Sequence, residues 1–224
     1  MPSIEPLQTA ARSPATPAIT ADSEVSVYSE TLQIQFQPHS GGSAMSRINL
    51  DTALVPAASQ PILGQIHGAF GGVPNMFKAV SNSPAALQCM WAGFGALGGG
   101  TLGAKLGEQI AVAIANRNGC DYCLAAHTGL GRKAGATAEE MSAAQAGQAA
   151  DPRTAAALRF ALKVVSERGA VTEADVAAVR SAGFGDEQIV EILAHVALNL
   201  FTNYVNVALD TPVDFPRVAL KKAA

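Results

Sequence analysis

The sequence predicts an all-α domain over residues 45–224, preceded by a disordered or peripheral N-terminal tail over residues 1–44. Apolar residues recur at helical spacing from Met45 onward, helix-capping signals punctuate that stretch, and no alternating apolar–polar run of strand type follows Met45. Hydrophobic residues make up 49% of the 224 and charged residues 15%, which supplies a sizeable core and excludes a wholly disordered chain. The sequence pI near 5.8 argues against nucleic acid or an anionic membrane as partner. No stretch approaches the roughly 18 uninterrupted apolar residues of a membrane-spanning helix.

The tail differs in composition from the rest. It holds Glu5, Asp22, Glu24 and Glu30 against Arg12 alone, so it carries the whole net charge of −3 and leaves residues 45–224 balanced. Five prolines and many Ser and Thr give it no helical period, and it cannot bury enough surface to offset the entropy of ordering. Val25 to Phe36 alternates weakly, in the manner of a short edge strand or hairpin. Met45 follows Ser40-Gly41-Gly42-Ser43 and is a second candidate start. Neither a secretory signal nor a mitochondrial presequence fits this composition, so a cytoplasmic location is expected.

Asp51 to Gly72 reads as a lead-in rich in Pro and Gly, closed by a turn over Phe70 to Asn75. Ser83-Pro84 caps a helix through Leu87, Met90, Trp91 and Leu97, which Gly98-Gly99-Gly100 stops. A second helix spans about Thr101 to Asn118, and Gly119 terminates it. Another starts near Cys120 and ends before Gly135; Thr137 and Glu140 form a capping box for the next. Asp151-Pro152 opens a helix running to Gly169, and Thr172 caps a short one stopped by Gly183. The longest helix runs from Glu187 to about Leu209, where Pro212 follows. Glu108-Gln109-Ile110 recurs as Glu187-Gln188-Ile189, a weak echo of a duplicated helical hairpin.

Three cysteines are too few for a disulfide framework. Cys120-Asp121-Tyr122-Cys123 is a C-x-x-C, and His127 lies four residues further on. At i,i+3 and i,i+4 the three share one helix face. A helix beginning at the cysteines places both thiols in its first turn, where unpaired N–H groups and the dipole favour thiolates. His127 exchanges protons near neutral pH. The triplet thus supplies a nucleophile, a resolving thiol and a base.

Other readings of the same residues stay open. A structural zinc site needs four ligands, and the motif offers three; Cys89 or His195 would have to complete it. The two cysteines and the histidine also make sense as packed core residues. Haem attachment is excluded, because Leu124 stands where a histidine is required. Spacing alone favours the exposed edge of its helix for Glu108, in an otherwise apolar stretch. His195, between Ala194 and Val196, reads as a core histidine with one hydrogen bond. His67 and Cys89 have no companions, and Trp91 and the phenylalanines read as core.

Glu108, then Cys120-x-x-Cys123, then His127 resembles the spaced signature of the AhpD-like alkylhydroperoxidases in the carboxymuconolactone decarboxylase superfamily. Phe70-Gly-Gly-Val-Pro-Asn-Met-Phe77 and Asn199-Leu-Phe-Thr-Asn-Tyr204 resemble segments of its peroxidase-related branch, and the likeness covers roughly residues 45–224. The resemblance implies an AhpD-like helical domain that is homo-oligomeric and reduces hydroperoxides. It implies Cys123 as the attacking thiol, Cys120 as the resolving one, and Glu108 with His127 as a proton relay. Tyr122 stands where the best-known members carry a histidine, and Tyr122 and His195 are candidates for supporting that site. No metal and no bound cofactor is expected; an external dithiol protein or lipoyl-type carrier would reopen the disulfide. No nucleic-acid or membrane partner is expected. The rival readings are a disulfide oxidoreductase without peroxide specificity and a non-enzymatic helical oligomer.

Overall fold

The computed structural model describes residues 46–221. The expected tail over residues 1–44, its alternating segment and Met45 lie outside the described residues. Within them the chain is all-helical, with no strand. A 3₁₀ turn, Ala57–Ser59, leads into α1 (Gln60–Phe70), α2 (Asn75–Val80) and α3 (Pro84–Gly98). Then come α4 (Ala104–Arg117), α5 (Asp121–Lys133), α6 (Ala138–Gln145), α7 (Pro152–Ser166), α8 (Glu173–Ser181) and α9 (Asp186–Leu209).

Helix α1 occupies the stretch that reads as lead-in, and α2 begins at the last residue of the turn. Helix α1 starts at Gln60-Pro61 and buries Leu63, Ile66 and Ala69, while α2 buries Met76, Phe77, Ala79 and Val80. Gly64 and Gly68 dilute the apolar signal of α1, and α2 has only six residues. Helix α4 begins later than the expected Thr101 because Gly103 sits at φ +78°. The Thr101 and Leu102 N–H groups instead donate to the Glu191 carboxylate, at 2.9 Å each.

The predicted caps form. Ser83, Thr137, Asp151 and Thr172 each accept the backbone N–H three residues on, and the boxes of α6 and α8 are reciprocal. Such caps satisfy helix-end donors and each stabilises by about 1 kcal/mol.

Helix α4 is the centre, packing against α5, α6, α7 and α9. Its buried run Leu106, Ile110 to Ala115 meets Leu124, Leu158 and Ile192 from the surrounding helices. Gly131 lets α5 approach: a Cβ there would lie 2.4 Å from the Met141 side chain and 3.3 Å from Glu108 Cβ.

Helix α9 is unbroken for 24 residues. The hairpin echo therefore has no structural counterpart, because the second copy lacks the break that Gly119 makes in the first. By length and composition α9 would reach across a membrane, yet it packs on α4, α3, α7 and α2. Its end is tied down by Ser46 and Arg47, which donate to the carbonyls of Ala208 and Leu209. Beyond it, residues 211–221 run without regular structure, and Lys221 is held by Asn116 and Ser142.

Candidate active site

Gly119 adopts φ +67° and turns the chain sharply between α4 and α5. The two helices pack together, which carries Glu108, on α4, to the face of α5 that bears the motif. Cys120 is not within the first turn, as its spacing suggested, but is the N-cap of α5: its Sγ accepts the Cys123 N–H at 3.3 Å. Cys123 lies inside the first turn. Both cysteines are free and buried.

Glu108 is not an exposed helix edge. Its Oε2 lies 2.7 Å from His127 Nδ1, and the two side chains retain 16% and 10% of their exposure. Burial alone would lower the His127 pKa, but the Glu108 charge and hydrogen bond outweigh it and raise the imidazole above its ordinary value. With Nδ1 held by the carboxylate, Nε2 is the nitrogen available for proton exchange.

The two thiols differ. Burial pushes Cys123 upward, but the Cys120 hydrogen bond, the His127 charge and the amides of Asn206 and Asn203 together bring it down to about 7. Cys120 is pushed strongly upward, first by its hydrogen bond to Cys123 and then by burial. The pair therefore holds its first negative charge on Cys123, with the Cys120 S–H as donor.

Cys123, His127 and Glu108 line a cavity of about 500 Å³, and Cys120 does not. Phe70, Phe77, Trp91 and Phe94 form one wall, with Phe77 edge-on to Trp91 at a centroid distance of 5.8 Å. Trp91 Nε1 donates to Gln65 Oε1 at 2.8 Å. Among the described residues, no Lys or Arg lines the space. These rings read as plain core in the sequence; only helix pairing reveals that they surround a void.

Tyr122 supports the site from behind. Its hydroxyl accepts the Met76 N–H at 3.1 Å, and its ring stands edge-on to Phe215 at 5.5 Å. Asp214, beside it, accepts the Asn75 N–H at 2.8 Å. Burial raises the pKa of both Tyr122 and Asp214, so both stay protonated more readily than usual.

His195 is not brought into the cavity. Its ring packs on Gly107, where a Cβ would lie 2.9 Å from Cε1, and makes no hydrogen bond to the described residues, where one was expected. Burial lowers its pKa, with the Glu108 charge opposing. Cys89 and His67 are exposed on α3 and α1. Among the described residues, no three His, Cys, Asp or Glu side chains are grouped so as to hold a metal ion.

Asn203 and Asn206 matter here but carry no catalytic motif. Their signal is chemical: amides at 199, 203 and 206 form a polar stripe on the buried face of an apolar helix.

Residues 84–167 match the carboxymuconolactone decarboxylase family. A comparison with curated proteins finds no match. The fold is similar to the AhpD core of a peroxidase-related protein from Ralstonia eutropha JMP134, with 28% identity and a TM-score of 0.68 over 77% of this chain and 94% of that one. A peroxidase-related protein from Silicibacter sp. TM1040 is similar at 26% identity and a TM-score of 0.67, over 81% and 96% of the two chains. The debrominase Bmp8, as a cysteine-to-alanine variant with 2,3,4-tribromopyrrole, shares the fold at 18% identity and a TM-score of 0.63, over 78% and 94%. With the helical architecture around Glu108, Cys120, Cys123 and His127, these likenesses support reading the chain as an AhpD-like member of the carboxymuconolactone decarboxylase superfamily.

Proposed function

We propose that the protein is a thiol peroxidase that reduces uncharged organic hydroperoxides through Cys123. The observation that carries this reading is the placement of Cys123 in the cavity, beside an imidazole anchored 2.7 Å from the Glu108 carboxylate. Its likeness to peroxidase-related proteins supports the same class of chemistry.

The Cys123 thiolate attacks the terminal oxygen of the hydroperoxide, the S–O bond forms and the O–O bond breaks. The departing alkoxide takes a proton from His127 and leaves as the alcohol, while Cys123 becomes a sulfenic acid. Cys120 then attacks the Cys123 sulfur, water leaves, and a disulfide forms. An external dithiol, from a protein or a lipoyl-type carrier, reduces it by two electrons and two protons. Glu108 keeps His127 oriented and charged until the proton is needed.

The aromatic wall, with no basic side chain among the described lining residues, favours an apolar alkyl or aryl hydroperoxide over an anionic one. The rival, an oligomer with packed or zinc-holding cysteines, predicts thiols indifferent to peroxide. Add one equivalent of cumene hydroperoxide to the reduced protein, titrate free thiols and assay zinc. Loss of two of the three thiols together, with no metal present, supports the peroxidase. Unchanged thiols, or stoichiometric zinc, overturn it.

A further inference from the structure

Helix α9 turns four polar residues into the core, and they divide into two pairs by what they bind. Asn199 Nδ2 donates to the His195 carbonyl at 2.9 Å, and Thr202 Oγ1 to the Asn199 carbonyl at 3.1 Å. These satisfy the helix's own backbone. Asn203 and Asn206, fully buried or nearly so, point elsewhere.

Asn206 Nδ2 donates to Cys123 Sγ at 3.2 Å. Asn203 Oδ1 accepts from Asn118 Nδ2 at 2.9 Å, which orients its amide. Its own Nδ2 is buried with no hydrogen-bond partner among the described residues, and its amide acts to lower the Cys123 pKa. A buried donor left unpaired is costly unless a partner appears at some stage of function. A sulfur that becomes an anion is such a partner.

We propose that Asn206 and Asn203 form a two-amide cradle that holds the Cys123 sulfur as an anion. The proposal rests on Cys123 being the reactive thiol. Asn206 touches the reacting sulfur and is in that sense catalytic; Asn118 positions Asn203. The titratable groups around the sulfur are Cys120, Tyr122 and His127 from the cap and body of α5, Glu108 behind His127 and Asp214 behind Tyr122. From α9 the sulfur meets only uncharged amides, with His195 further off, toward Glu108. A neutral amide favours the thiolate without taking a proton from it, so the cradle leaves proton transfer to His127 alone.

The test needs no peroxide. Measure iodoacetamide alkylation of Cys123 against pH, resolved by mass spectrometry of its peptide, in the wild type, Asn206→Leu, Asn206→Asp and Asn203→Leu. The wild-type midpoint should lie near 7. Asn206→Leu should raise it by about one unit, slowing alkylation at pH 6 about tenfold. Asn206→Asp, of the same shape, should raise it further because a carboxylate repels the thiolate, and it stands in should the leucine variant fail to fold. Asn203→Leu should raise it by less. An unmoved midpoint in a folded Asn206 variant overturns the cradle. Peroxide inertness of a wild type whose midpoint does shift on mutation would instead sink the peroxidase reading and leave the cradle standing.

Discussion

Three positions separate Cys120 from Cys123, and the fold gives the two thiols opposite acid–base behaviour. Cys120 caps the helix and donates its proton toward Cys123; Cys123 meets a helix start, an imidazolium and two amides. A thiol titrating near 7 rather than 9 reacts faster as pH rises, and levels off above its midpoint because the thiolate fraction saturates. Peroxide consumption by the wild type should therefore climb between about pH 6 and 8 and then flatten, which stopped-flow rates will show. Cys123→Ser should abolish consumption. Cys120→Ser should still let Cys123 form a sulfenic acid, trapped by dimedone, but no intramolecular disulfide. Dimedone on Cys120 of the Cys123→Ser variant, with none on Cys123 of the other, would reverse the roles. The two cysteines and His127 were legible as spacing, and Glu108 as their partner only through the family resemblance. That Glu108 turns inward was not, because the choice is made by the close approach of α5 across Gly131, a contact between distant residues.

The elements most readable in the sequence are those with side-chain caps. Ser83, Thr137, Asp151 and Thr172 mark helix starts because their oxygens compensate donors that the helix leaves unpaired. Helices α1 and α2 lack such caps and were hidden: neither N-cap residue, Ser59 nor Pro74, makes a side-chain capping bond. They are held instead by tertiary contacts, α2 through Tyr122 and Asp214. Tyr122→Phe should therefore act on the pinning of α2 rather than on the chemistry. It leaves the buried Met76 N–H without its partner and should destabilise the fold by about 1–3 kcal/mol in urea unfolding, with Cys123 alkylation little changed. A loss of Cys123 reactivity in a fully folded variant would give Tyr122 a part in the chemistry itself.

Among the described residues, α9 presents an exposed apolar surface. Val190, Leu193, Tyr204 and Val207 are among the exposed large hydrophobic residues, and with Ala197 and Leu200 they recur every three or four residues along one face of α9. The acidic Glu191 within this stretch is turned aside to bind the Thr101 and Leu102 amides. A neutral stripe with heptad spacing on a charge-balanced domain fits a second copy of itself, and we expect α9 to pair across a two-fold axis. Leu193→Glu with Tyr204→Glu should lower the mass seen by light scattering at micromolar concentration while the helical circular dichroism persists. An unchanged mass would place any interface elsewhere. The extent of this helix was readable in the sequence, but which face is buried within the chain was not, since apolar residues lie on both faces and the buried one also carries Asn199, Asn203 and Asn206.

We infer that Glu108 and His127 act as one relay for Cys123. It is tested most directly by the rate at which Cys123 reacts with cumene hydroperoxide between pH 6 and 9, in the wild type, Glu108→Gln, His127→Asn and the double variant. Each single substitution should cost about 10²- to 10⁴-fold. The double variant should be little slower than either, because members of one relay do not act additively. A Glu108→Gln protein that reacts at the wild-type rate across that range would contradict the relay and leave Glu108 a buried structural partner of His127.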